Sequence, residues 1–142
     1  MYLTGEKQLK LDAKLRLTLP ADFRRQFGDR VCLVPLKDAI WGFTPEGHEA
    51  WTASYFPDGF NPRDREQDKL QRTLMRRTVT VDIDAAGRVA LSKVPEEKLA
   101  KLGISRDVMV IGNRDHFEVW DYQHFEELNA EDDDDLDDLM FD

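Results

Sequence analysis

Residues 11–19, Leu-Asp-Ala-Lys-Leu-Arg-Leu-Thr-Leu, are matched 72 positions later by residues 83–91, Ile-Asp-Ala-Ala-Gly-Arg-Val-Ala-Leu. Asp12 aligns with Asp84 and Arg16 with Arg88. In each copy an apolar residue precedes the Asp, three residues separate it from the Arg, and an alternating apolar strand follows. Aspartate accepts hydrogen bonds from amides ahead of it and tolerates tight-turn backbone, so Asp-x-x-x-Arg predicts a hairpin tip with the Arg on its rim.

The likeness continues beyond the tips. Residues 17–28 read as a strand, a proline stop and a short helix ending at Gly28; residues 89–103 repeat that order with a few extra residues before the helix. Val31-Cys-Leu-Val34 matches Val108-Met-Val-Ile111, and Ile40-Trp-Gly-Phe43 matches Phe117-Glu-Val-Trp120. Self-similarity at a fixed spacing marks an internal duplication. The sequence predicts a first repeat at 5–51, a loop and connecting helix at 52–77, a second repeat at 78–124, and a terminal segment at 125–142. Helices are expected at about 21–26, 46–54, 63–77, 96–102 and 122–128, the first and fourth entered through Pro20 and Pro95.

Composition narrows the functional classes. The 142 residues carry a net charge of −9 with 41% hydrophobic residues, enough for one packed domain. Eight of those negative charges lie in residues 131–142, which contain no base, so the remaining chain is close to neutral at −1. The acidic total therefore does not exclude nucleic acid as a partner. The acidic tail repels itself and is expected to be disordered, with Leu136, Leu139, Met140 and Phe141 available to a protein partner. No apolar run reaches a membrane span, and a lone cysteine, Cys32, in an apolar strand predicts a buried thiol in a reduced intracellular protein.

Catalytic chemistry has nothing to rest on. His48, His116 and His124 are scattered, no spacing marks a metal site, and no phosphate loop or nucleophile elbow occurs. No metal and no cofactor is expected. What remains is a pair of rim arginines, with Lys14 beside the first. An arginine fork can bond a phosphate or a guanine edge at two points, and a two-stranded β ribbon fits the major groove. An Asp–Arg ion pair that merely braces its own turn is an equal alternative.

Leu-Asp-Ala-Lys-x-Arg-Leu-x-Leu-Pro-x-x-Phe-Arg at 11–24 resembles the first half of the bacterial MraZ proteins, and Asp-x-x-Gly-Arg at 84–88 resembles their second half. Residues 110–120, Val-Ile-Gly-Asn-Arg-Asp-His-Phe-Glu-Val-Trp, are similar to the family's last strands, and the likeness spans roughly 5–128. The resemblance implies an α+β fold in which two AbrB-like swapped-hairpin units form one small β barrel with short flanking helices. It implies a cytoplasmic, nucleoid-associated transcriptional regulator. Such a protein forms a ring-shaped homo-oligomer and binds double-stranded DNA at promoter repeats upstream of the division and cell-wall gene cluster. By motif position, Arg16, Arg88 and Lys14 would contact DNA, while Asp12, Asp84 and Gly87 would shape the turns. The alternative is an AbrB-like interaction module, of antitoxin or scaffold type, whose acidic tail binds a partner.

Four departures from the family pattern stand out. Leu15 occupies the position of Gly87, and would be strained if that position needs positive φ. Ala86 stands where Lys14 does in the first motif. Ser92-Lys-Val-Pro95 interrupts the second strand-then-proline junction, and the acidic tail lies outside the pattern.

Overall fold

The computed structural model describes residues 1–141. Eight strands and six helices alternate along it: β1 Glu6–Lys10, β2 Arg16–Thr18, α1 Ala21–Arg24, β3 Arg30–Pro35, β4 Ile40–Phe43, α2 Pro45–Ala53 and α3 Arg65–Arg77. The second half continues with β5 Val79–Asp82, β6 Arg88–Ala90, α4 Glu96–Leu102, β7 Asp107–Gly112, β8 Phe117–Asp121, α5 Tyr122–Asn129 and α6 Asp132–Phe141. The expected strand–turn–strand–helix–strand–strand order is present twice.

Six strands form one antiparallel sheet in the order β1-β7-β8-β4-β3-β5, and β2 pairs with β6 in a separate two-stranded ribbon. The turn after Asp12 does reverse the chain, but its two strands do not pair with each other: β1 joins β7 and β2 joins β6. This is the exchange expected of swapped hairpins. A closed barrel is not formed by strand pairing, because β1 and β5 remain the two edges of the larger sheet.

The register shows a pseudo-two-fold relation. In the ribbon, Arg16 faces Ala90, Leu17 faces Val89 and Thr18 faces Arg88. Since equivalent residues there are 72 apart, Leu17 faces its own counterpart and the pseudo-axis passes through that pair. After the extra residues of the second half, equivalents are 77 apart. Trp41, opposite Glu118 where β4 meets β8, is then a second self-equivalent pair. Three of the extra residues, Ser92, Lys93 and Val94, separate Leu91 from Pro95, where the 3-10 turn Leu91–Lys93 delays the second helix.

The larger core lies between the ribbon, α1, α4 and one sheet face. Leu17, Val89, Leu91, Val31, Leu33, Val108 and Val110 are among its buried members. Phe117 closes it, stacked at 6.1 Å from Phe23 and edge-on at 5.6 Å from Phe27. Central strand β3 is covered on both faces, so it reads as an unbroken apolar run. Val31 and Leu33 enter the main core, whereas Cys32 and Val34 pack with Phe43 in a smaller cluster beside Trp51 of α2. Cys32 is buried as expected. On α3, Leu74 is buried while Leu70 and Met75 are exposed.

The tail departs from expectation. Residues Asp132–Phe141 are helical. Four aspartates occupy the first turn, where negative charge complements the helix dipole. Leu136, Leu139 and Met140 recur at helical spacing on one side. Asp142 falls outside the described residues.

Beside Trp41, one buried ionic group is fully partnered. The Glu118 carboxylate accepts hydrogen bonds from Asn113 Nδ2, His116 Nε2 and Trp120 Nε1, each at 2.9 Å, and the His116 ring stacks on Trp41 at 4.1 Å. Burial works against both charges, but the His116 bond and its neighbours win. Glu118 is held below its ordinary value of 4.5 and His116 above its ordinary 6.5. The His116 contribution is complete below 6.5 and lost as pH rises through its raised folded value. That of Glu118 is complete above 4.5 and lost as pH falls through its lowered one. Glu118→Ala should therefore cost most stability between those ordinary values, about 3 kcal/mol, measured as the shift in urea midpoint across pH.

Candidate nucleic-acid interface

The two tips are built alike, bond for bond. Asp12 Oδ1 accepts from the backbone amides of Lys14 and Arg16, both at 2.9 Å, and Asp84 Oδ1 from those of Ala86 at 3.0 Å and Arg88 at 2.8 Å. Each Oδ2 accepts from the Nε of its own arginine at 2.7 Å. Backbone bonds from Asp12 to the Arg16 carbonyl and from Asp84 to the Arg88 carbonyl close the turns. The residue that completes each turn has positive φ, 58° at Leu15 and 79° at Gly87. Leucine thus adopts a left-handed conformation that L residues disfavour by roughly 1–2 kcal/mol, and its side chain packs partly buried against the main core.

The tips also tie each other down. The Leu19 amide donates to the Gly87 carbonyl, and the Leu91 amide to the Leu15 carbonyl, both at 3.0 Å. These two bonds are equivalents under the pseudo-axis and hold the tips at opposite ends of one ribbon.

Side-chain direction follows from strand alternation. Leu17 and Val89 point into the core with no exposure, so Arg16, Thr18, Arg88 and Ala90 point away from it. Arg16 faces Ala90 and Arg88 faces Thr18. Arg16 and Arg88 are thus diagonal neighbours across the ribbon, a relation that places residues roughly 7–8 Å apart. Both guanidinium groups therefore leave the same outer face of the ribbon. Each spends its Nε on the aspartate, and among the described residues the terminal Nη atoms have no other ion-pair partner. The aspartate thus fixes each guanidinium through its Nε and leaves the terminal nitrogens free to donate.

Lys14 is exposed on the first tip, and Ala86 gives the second no counterpart. Arg24, on the helix that follows the first tip, lies against the second tip. Its Cδ lies 3.6 Å from where a Cβ on Gly87 would stand, while its Nη1 donates to the Gly28 carbonyl at 3.0 Å. Only the exchange of strands brings α1 of one half under the tip of the other, which no local pattern announces. Arg25 pairs with Asp22 on its own helix. Among the described residues no group of His, Cys, Asp and Glu could hold a metal ion, and no helix is long and apolar enough to cross a membrane.

A family model described as "MraZ protein, putative antitoxin-like" matches residues 2–69 and 74–139. The chain belongs to the MraZ family. The two matched segments follow the duplication, and the second reaches into α6. The chain is 33% identical over 130 residues to the transcriptional regulator MraZ of Spiroplasma kunkelii, covering 89% of this chain and 86% of the relative. It is 33% identical over 144 residues to that of Bordetella pertussis, covering 90% and 88%. Identity to that of Corynebacterium jeikeium is 30% over 131 residues, covering 91% and 87%.

Hydrogen bonds from the arginine backbone amides, followed by those from its side chain, lower the pKa of Asp12 and Asp84 below the ordinary 3.8. The tip contribution is full above the unfolded value and lost as pH falls through the lowered folded one. Carboxyl titration by NMR should give midpoints for both below 3.8, while Arg16→Ala and Arg88→Ala should each move the midpoint of its own aspartate upward.

Proposed function

We propose that this chain is a sequence-specific DNA-binding transcriptional regulator whose reading head is the β2–β6 ribbon. The observation that carries the reading is the pair of Asp-braced arginines, Arg16 and Arg88, on the ribbon's outer face, with their terminal donors unspent. A two-stranded ribbon fits a major groove about 12 Å wide, and an arginine fork donates to both acceptors on a guanine edge. Lys14 adds a phosphate contact at the first tip. Asp12, Asp84 and Gly87 hold the turns, and Leu15 takes the role of Gly87 at the cost of strain and bulk.

The rest of the reading is drawn from the family. Several chains act together as a ring-shaped homo-oligomer on repeated sites upstream of the division and cell-wall gene cluster, in the cytoplasm over the nucleoid. One ribbon offers few contacts. Phased repeats then raise affinity through effective concentration rather than new contacts. A second reading, an AbrB-like interaction module of antitoxin or scaffold type, is favoured by the exposed apolar residues of α6.

Arg16→Ala/Arg88→Ala should weaken binding to DNA from upstream of the protein's own gene by roughly 100-fold or more, at ~1–3 kcal/mol per bidentate contact. The elution volume should not change. Fluorescence anisotropy at two salt concentrations reads this directly, and affinity of the native chain should fall steeply with salt. Equal binding by both proteins would reduce the arginines to turn braces. Binding by neither would favour the interaction module.

A further inference from the structure

A second charged surface lies away from the tips. Two adjoining cavities of about 300 and 210 Å³ share Pro35, Arg77 and Lys98, and form one groove between the C-terminal end of α3, the β3–β4 turn and α4. Arg76, Lys37 and Lys101 complete its basic lining, against one carboxylate, Glu97. Among the described residues none of these five cations has an ion-pair partner. Apolar residues complete the lining, Pro35, Val79 and Pro95 along one part and Leu36 and Leu102 along the other.

The duplication does not explain this basic character. The corresponding cleft of the first half, between β1, α1 and β7, carries Glu6, Lys7 and Asp22 instead. Nor is the groove part of the tip: it sits where β5 begins, at Val79, while the tip follows that strand's far end at Asp82.

The chain also carries an unpartnered complement. Helix α6 presents Asp132, Asp133, Asp134, Asp135, Asp137 and Asp138, none of them in an ion pair among the described residues. Beside them Leu136, Leu139, Met140 and Phe141 are all exposed, Leu139 to 80% and Phe141 to 78%. A helix that is acidic and apolar along the same ten residues matches a groove lined by both cations and apolar side chains. It does not lie in its own groove. Asp132 and Asp133 line a cavity with Glu6, Ile111 and Trp120, beside β1, β7 and β8, whereas the groove is on the β3–β5 side of the sheet.

We propose that the groove formed by Arg76, Arg77, Lys37, Lys98 and Lys101 is the docking site for the acidic helix α6 of a second copy of this chain. The contact is heterologous, since groove and helix are different surfaces of the molecule, so each subunit offers one of each to two different neighbours. Rotations that close such contacts give rings, and those that do not give filaments. Desolvation of the apolar residues would hold the helix, and the opposed charges would set its direction and speed its arrival.

The test is a cross-link between full-length chains, carried out without DNA, so that it is independent of how Arg16 and Arg88 behave. One chain carries Thr73→Cys, which lines the groove, and a co-expressed chain carries Leu139→Cys. Native Cys32 is buried and stays in place. Oxidation should give the disulfide-linked pair of the two variants, and the yield should fall by about fivefold at ~1 M salt, where charges are screened beyond roughly 3 Å. Arg76→Glu/Arg77→Glu in the first chain should lower the yield similarly. Asp134→Lys/Asp135→Lys in the second chain should restore it, which a folding defect in the groove would not allow. No cross-link at low salt, or an unchanged yield with the charge-reversed groove, overturns the proposal. So does loss of DNA affinity in Arg76→Glu/Arg77→Glu with the cross-link intact, which would assign the groove to phosphate instead.

Discussion

The structure depends on one short antiparallel pairing, that of β2 with β6. Each strand is only three residues long, too little to be stable alone. What stabilises the pairing is the burial of Leu17 and Val89 at its centre, together with the reciprocal bonds from Leu19 to Gly87 and from Leu91 to Leu15. Because the two strands come from different halves, neither half can complete its core without the other. The sheet obeys the same relation: β7 of the second half pairs with β1 of the first, and β3 of the first with β5 of the second.

The same pairing produces the candidate site. An arginine one residue before a buried strand centre must point outward, and doing this twice across a pseudo-two-fold axis sets two forks on one face. Each aspartate works on two levels: its Oδ1 holds the turn backbone and its Oδ2 aims the guanidinium. Turn stability and side-chain orientation cannot be separated at these positions, because one carboxylate serves both.

Divergence between the halves is confined to places where the shared frame tolerates it. Leucine replaces glycine at a left-handed position because its side chain finds the core. Trp41 and Glu118, which occupy the same place on the pseudo-axis, have become a stacked aromatic and a buried carboxylate with three donors. The clefts beneath α1 and α4 differ in sign of charge. A duplicated chain thus keeps its symmetric backbone while its surfaces become unlike, which suits contacts between unlike faces.

The sequence by itself determined the duplication, the order of elements, both Asp-x-x-x-Arg turns and the family, because these are encoded in local spacing. Turn chemistry at Asp12 and Asp84, proline at helix entries and apolar alternation act within a few residues. Which strand each turn feeds was implied by the family resemblance and decided by the tertiary structure, since swapped and unswapped pairings look identical in a local pattern. The tertiary structure also set Arg24 against the opposite tip and gathered Arg76, Lys37 and Lys101 from separate elements into one groove. Composition predicts a disordered tail, whereas residues Asp132–Phe141 are helical. A run of aspartates repels itself, but at a helix N-terminus its charge meets the dipole, and the spacing of Leu136, Leu139 and Met140 aligns an apolar side. Charge counts carry no direction, and it was direction, along a helix axis and across a sheet, that the folded chain supplied.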